Sequence, residues 1–156
     1  MIWNGTAAKL EQFLAHRPYH AAFFFVHPQI SRLQAAVAEL QQTYEWPAIA
    51  ISPILARLLF PIPPQQWPRS APRLFHDSLQ PYAAGPLLCH DIDLLFEPAL
   101  HLDPLKLFLD ASRHTSLIIA WPGTCTEHSL TYAVPEHAHF HSWPSSELRP
   151  HCLVHL

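Results

Sequence analysis

The chain has 156 residues, of which 49 % are apolar and 13 % charged, and its formal net charge is −3. This length and balance predict one globular domain over residues 1–156, with a core over about residues 20–143, and argue against long disordered tails. With only two lysines, no charged leader and no apolar run that could span a bilayer, we expect a cytoplasmic protein that contacts neither nucleic acid nor membrane by itself.

The hydrophobic pattern predicts helices and strands that alternate along the chain. Apolar residues at helical spacing predict helices over residues 7–16, 29–43, 53–60, 70–79 and 104–112. Apolar runs predict strands over residues 21–26, 46–51, 86–92, 115–121 and 129–134, and the tail after Pro135 has no clear period. Ser52-Pro53 and Asp103-Pro104 each predict a helix start. The alternation implies an α/β three-layer sandwich with a mostly parallel five-stranded sheet.

The turn after the first strand is where such a fold would bind phosphate. A phosphate loop reads G-x-x-x-x-G-K-[ST], because glycines let backbone N–H groups surround the phosphates and lysine reaches them. Here no glycine occurs between Gly5 and Gly85, no lysine lies near the turn, and Pro28 removes a donor. We expect an ordinary turn or, alternatively, weak anion binding at the helix start. The candidate vestigial phosphate turn comprises His27, Pro28, Gln29, Ile30, Ser31, Arg32, Leu33 and Gln34.

Two aspartates, Asp91 and Asp93, lie at the end of the third predicted strand. An apolar strand that ends this way resembles a Walker B element, whose carboxylate holds the Mg²⁺ of a bound nucleotide. Strand-ending aspartates are also common loop caps. Asp91 and Asp93 are therefore candidates either for an ATPase site that uses ATP and Mg²⁺ or for a structural position. His27 and His90 are expected at the same edge of the sheet.

Several short segments of the sequence, in this order and spacing, resemble a known family. They are AIAISPILARLLF from Ala48, HDIDLLF from His90, LDPL from Leu102, SR at Ser112, AWPG from Ala120 and LTYAVPEH from Leu130. Together they resemble BrxF, the small P-loop-containing proteins of type 3 BREX bacteriophage-exclusion systems, over roughly residues 20–143. In this comparison the family's phosphate loop falls on His27 to Gln34, where its glycines and lysine are missing, and its strand-end acid falls on His90 or Asp91.

The resemblance implies that the sandwich is P-loop NTPase-like. It also implies a subunit of an antiphage defence system that acts on partner proteins of that system. The missing glycines and lysine predict that the chain is deficient in ATP hydrolysis; an ATPase with a non-standard loop is the alternative. The resemblance leaves oligomer formation open. Arg113 is then either a subunit-contacting arginine or a cation that stabilises a helix C-terminus.

Thirteen histidines and three cysteines raise the question of a metal. His137, His139 and His141 would share one face of an extended segment, and three histidines are enough ligands for a zinc site with an open fourth position. The cysteines are widely spaced and form no C-x-x-C pair, which favours free thiols in a reducing compartment. A His-cluster metal site is thus an alternative to surface histidines in a polar tail.

Overall fold

Helices and strands alternate along the chain, as the hydrophobic pattern predicts. The computed structural model describes residues 7–16, 18–133, 139–144 and 153–156. The helices are α1 (Ala7–Ala15), α2 (Ile30–Tyr44), α3 (Ile51–Leu59), α4 (Trp67–Leu79) and α5 (Pro104–Ala111). The strands are β1 (Ala22–His27), β2 (Ala48–Ala50), β3 (Leu87–His90), β4 (Leu117–Cys125), β5 (Ser129–Tyr132), β6 (His141–Pro144) and β7 (Leu153–His155). Short 3-10 helices lie at Pro64–Gln66, Gln80–Tyr82, Asp93–Phe96 and Pro98–Leu100.

The strands form a mostly parallel sheet, which confirms the α/β prediction. Its parallel row has the order β2-β3-β4-β1-β7, and β5 and β6 extend it as an antiparallel hairpin from the end of β4. The expected number of five strands is wrong, because the described residues form seven. The strand predicted at 129–134 follows β4 after a short turn, and so short a connection permits only antiparallel pairing. The fifth parallel strand is instead β7, which the sequence did not predict.

Each face of the parallel row is covered by helices, so the molecule has three layers. Along β1, Phe23 and Phe25 point to one side and Phe24 and Val26 to the other. Helices α1 and α2 pack on the first side, and α3, α4 and α5 pack on the second. None of the helices in the described ranges is long and apolar enough to cross a membrane.

Two of the predicted helix starts differ from the structure. Helix α3 begins at Ile51, so Ser52 lies inside its first turn and is not the cap. Helix α4 begins at Trp67, three residues before the predicted start, and Pro72 lies in its interior. The Asp103 prediction is confirmed, since its carboxylate accepts a hydrogen bond from the backbone N–H of Lys106 at 3.2 Å.

An aromatic cluster joins the antiparallel hairpin to the body of the fold. Trp121 is fully buried and meets Phe24, Phe96 and Trp143 edge to face, with ring centroids 5.2–5.7 Å apart. The Trp121 indole N–H donates to the Thr131 carbonyl oxygen of β5 at 2.9 Å. The cluster therefore fixes the hairpin at the carboxyl edge of the sheet.

Candidate functional site

A cavity of about 280 Å³ lies between α2 and the carboxyl ends of β3 and β4. We call it the edge cavity, and its lining residues are Ile30, Leu33, Gln34, Val37, His90, Asp91, Ile92, Asp93, Ala120 and Pro122. In an open parallel sheet this edge is where ligands bind. The cavity brings part of the predicted phosphate turn together with both predicted acids, 57 or more residues further along the chain.

The turn between β1 and α2 is too short to surround a phosphate. Strand β1 ends at His27 and α2 begins at Ile30, so only Pro28 and Gln29 connect them. Pro28 has no N–H, and the Gln29 N–H donates to Nδ1 of His27 at 2.9 Å. Only the first amides of α2 are left to face an anion. The residues present thus do not fit the triphosphate of ATP.

Most residues of the predicted phosphate turn lie outside the edge cavity. Ile30, Leu33 and Gln34 line it, whereas His27, Pro28, Gln29, Ser31 and Arg32 do not. His27 lies beside β7, with its ring 5.7 Å from that of His155. Burial and the neighbouring Arg32 lower the pKa of His27, so its imidazole is neutral near pH 7.

The loop that carries the two acids is fastened to helix α3. Asp91 has a left-handed backbone (φ 49°), and its carbonyl oxygen accepts hydrogen bonds from both the N–H and the hydroxyl of Ser52, each at 2.7 Å. The Ser52 hydroxyl also accepts the Leu94 N–H at 3.0 Å. Ser52 is thus a positioning residue for the loop. From the sequence, Ser52 is predicted to be a helix cap. Its true partners lie 39 and 42 residues away along the chain, so no local pattern indicates them.

The two acids face different surroundings at the rim of the edge cavity. Both side chains are exposed, and Asp93 accepts a hydrogen bond from the Tyr132 hydroxyl at 2.8 Å. Next to them, burial lowers the pKa of half-buried His90, so that its imidazole is neutral near pH 7. The rim is therefore acidic, while the walls are apolar. These features suit an apolar group that carries a positive charge better than they suit a phosphate.

We expect Tyr132→Phe to lower the free energy of unfolding by about 1 kcal/mol near neutral pH, because the hydrogen bond to Asp93 is lost. Burial, and then the bond to Asp93, raise the pKa of Tyr132 above its ordinary 10.0. The folded protein therefore holds the phenol proton to a higher pH than the unfolded chain does. The contribution of Tyr132 to the free energy of unfolding is complete below pH 10, and it is lost progressively above pH 10 because the unfolded chain ionises first. The difference between wild type and Tyr132→Phe should therefore shrink as the pH rises above 10.

Urea unfolding of both proteins over this pH range measures the effect. Tyr82→Phe, at another half-buried tyrosine, is the matched control. A difference that stays constant above pH 10 would contradict the bond between Tyr132 and Asp93.

The predicted histidine cluster is only partly within the described residues, since His137 lies outside them. His139 lies in a turn with its Nε2 4.0 Å from a carboxylate oxygen of Glu97, and His141 packs its ring 4.2 Å from that of Trp143. Both line a second cavity of about 280 Å³, together with Glu97 and Asp103. Within the described ranges, no group of three or more His, Cys, Asp or Glu side chains is arranged to hold a metal ion.

Arg113 and the cysteines lie away from the edge cavity. Arg113 follows α5 and precedes β4, at the amino edge of the sheet, where its guanidinium lies 5.2 Å from the ring centre of Tyr19. Cys89 is fully buried in β3 and burial raises the pKa of its thiol, which makes a nucleophile there unfavourable. Cys125 is half-buried at the end of β4.

The fold and the edge cavity together define an α/β protein with a parallel sheet covered on both faces and a cavity at the carboxyl edge. In comparisons with protein-family models, curated proteins and solved structures, nothing matched the chain.

Proposed function

We propose that this chain is a subunit of a bacterial antiphage defence system of the BREX type. It has a P-loop-like layout, does not hydrolyse ATP, and acts in the cytoplasm through contacts with other proteins. The proposal rests on the resemblance to the BrxF family, together with a cavity that is not built for phosphate. An active ATPase with a non-standard loop is the outcome that would replace it.

Three of the six segments that carry the resemblance meet at the edge cavity. His90 to Asp93, Ala120 and Pro122 line the edge cavity, and Ser52, within the segment from Ala48 to Phe60, holds the acid loop. These segments form the carboxyl ends of β3 and β4 and the start of α3, at the edge where an open parallel sheet binds ligands. Their common position is compatible with one shared site, as the resemblance implies.

The strand order is compatible with a P-loop-like layout, because it gives an open parallel sheet. Strand β4 lies between β1, which leads into the predicted phosphate turn, and β3, which ends in the acids. The connection from β1 crosses one face and those from β2 and β3 cross the other, which opens a crevice at the carboxyl edge.

The observation that carries the non-catalytic part of the proposal is the two-residue connection between β1 and α2. A phosphate loop needs several consecutive residues whose amides converge on one point. Here one of the two residues is a proline, and the amide of the other is bound to His27. Mg²⁺ is usually held by one or two carboxylates together with the phosphates themselves, so Asp91 and Asp93 alone would bind it poorly.

Calorimetry with Mg-ATP and the purified, tag-free protein tests this part of the proposal. We expect no heat of binding at millimolar nucleotide, no thermal stabilisation, and no phosphate release above the buffer rate. Bound ligand at a hundred times its Kd would stabilise the protein by about 2.7 kcal/mol, so thermal shift is a sensitive second readout. Binding with a micromolar Kd would overturn the non-catalytic assignment.

Phage challenge tests the defence assignment separately. Deletion of this gene from its host, with the neighbouring genes intact, should raise the plating efficiency of phages that the host restricts. Complementation by the wild-type gene should restore restriction. Unchanged plating after deletion would refute a function in defence, whatever the result with ATP.

A further inference from the structure

Helices α3 and α4 carry three exposed arginines. Residues 46–76 contain three arginines and no aspartate or glutamate, in a chain whose formal net charge is −3. Arg57, Arg69 and Arg73 are all exposed, and we call them the arginine face. Helix α3 buries Ile51, Leu55 and Leu59, and α4 buries Ala71, Phe75 and Leu79, so helical spacing places the three arginines on the sides that face away from the sheet.

An exposed phenylalanine lies close to Arg57 of the arginine face. Phe60 follows the last turn of α3 and is 89 % exposed, three residues after Arg57 and therefore on the same side of the helix. The turn behind it is held firmly. The Trp67 indole N–H donates to the carbonyl oxygens of Leu59 and Ile62, at 3.2 and 2.9 Å, and Pro61, Pro63 and Pro64 restrict the backbone.

An exposed aromatic side chain on a fixed turn, next to an arginine, has the composition of an interface hot spot. Because the turn is already fixed, little conformational entropy would be lost when Phe60 is buried against a partner. We call Arg57, Leu58 and Phe60 the knob. A partner for the knob needs an apolar depression with acidic groups at its rim.

The edge cavity has these properties. Its walls include Ile30, Leu33, Val37 and Ile92, and its rim carries Asp91 and Asp93. Among the residues that the structure describes, no lysine or arginine lines it. A phenyl ring fits within about 280 Å³, since a cavity of about 150 Å³ with apolar walls binds benzene. The knob lies on the α3 side of the sheet and the cavity opens against α2 on the other side, so one chain cannot fill its own cavity.

We propose that the chain associates head to tail, with the knob of one copy in the edge cavity of the next. Phe60 contacts the apolar walls, and the arginine face lies against Asp91 and Asp93 of the neighbouring copy. Because the two surfaces differ, each copy keeps a free knob or a free cavity after one contact, and a ring or an open chain results. This inference goes beyond the proposed function and does not depend on it.

Sedimentation velocity over a range of concentrations at low salt tests the proposal with the full chain. We expect wild type to associate, and to dissociate as salt screens the pairs of opposite charge. Phe60→Ser removes the knob, and a double variant, Asp91→Asn with Asp93→Asn, neutralises the rim while leaving an oxygen at residue 93 to accept the Tyr132 hydrogen bond. Each should raise the dissociation constant at least about thirtyfold.

Mixing the two variants is the decisive measurement. The Asp91→Asn, Asp93→Asn protein keeps its knob and the Phe60→Ser protein keeps its cavity, so the mixture should form a one-to-one dimer and no larger species. Tyr19→Ser removes an aromatic ring that is 65 % exposed elsewhere on the surface, and should associate like wild type. Circular dichroism and thermal unfolding verify that every variant is folded.

Three outcomes would overturn the proposal. They are a wild type that is monomeric at every concentration, a folded Phe60→Ser variant that associates as tightly as wild type, and a mixture that stays monomeric although wild type associates. With a monomeric wild type, an acidic partner protein or a nucleic acid becomes the occupant to test on the arginine face. None of these results depends on phage restriction or ATP binding, so failure here is distinct from failure of the proposed function.

Discussion

Replacing Gly123 with alanine is expected to cost at least about 4 kcal/mol of the free energy of unfolding, because a Cβ there would overlap the Thr131 carbonyl oxygen. Gly123 lies opposite Tyr132 in the β4–β5 pair, so the obstacle is backbone and cannot rotate away. The same oxygen accepts the Trp121 indole N–H, and a shift of β5 would leave that N–H buried without its acceptor. Total stabilities are about 5–15 kcal/mol, so much of the variant should be insoluble or unfolded.

Urea unfolding followed by tryptophan fluorescence measures this loss for whatever protein is recovered. Ala38→Leu adds a larger side chain at an exposed position of α2, with little change in helix propensity, and serves as the control. A cost below about 1 kcal/mol for Gly123→Ala would mean that β5 does not pack closely on β4. The hairpin that holds Asp93 through Tyr132 would then be misplaced.

Trp121→Ala is expected to destabilise the protein by about 3–5 kcal/mol. The side chain is fully buried, and its removal leaves a cavity among Phe24, Phe96 and Trp143 in addition to the broken bond to Thr131. Trp121→Phe keeps most of the packing and loses the N–H donor. We expect it to cost about 1–3 kcal/mol, because the indole's hydrogen bond is not replaced.

Far-UV circular dichroism during urea unfolding is the suitable measurement here, since the substitution changes the fluorescence. Trp46→Ala is the matched control: this indole is half-buried and stacks on Tyr44 with ring centroids 4.2 Å apart. Its cost should be clearly smaller. Equal costs at residues 46 and 121 would show that the aromatic cluster does not organise the core.

Elements with strong local signals could be predicted from the sequence. Helix α2 was expected at 29–43 and is found at Ile30–Tyr44, because its apolar residues repeat at helical spacing over four turns. The Asp103 cap was recognised because cap, proline and apolar run are adjacent in sequence. The buried strands β1 and β4 were found for the same reason, as continuous apolar runs.

Elements whose existence depends on a distant partner were missed. Strand β7 has three residues, of which only Val154 is buried, and so short a segment has no measurable period. It is a strand because β1 supplies its hydrogen bonds. Ser52 shows the same limit for a side chain. Its hydroxyl suggested a helix cap locally, but in the fold the acid loop offers it better partners.

The candidate site shows the same difference between features of adjacent residues and features that depend on distant residues. The sequence by itself determined that no glycine-rich, lysine-containing phosphate loop follows β1 and that acids follow β3, since both are facts about adjacent residues. Only the tertiary structure decided that the acids share a cavity with the apolar side of α2, and that an exposed phenylalanine and three arginines lie on the opposite layer. Those relations join residues that are far apart in the chain, and they arise only when parallel strands align their ends and helices cover both faces of the sheet.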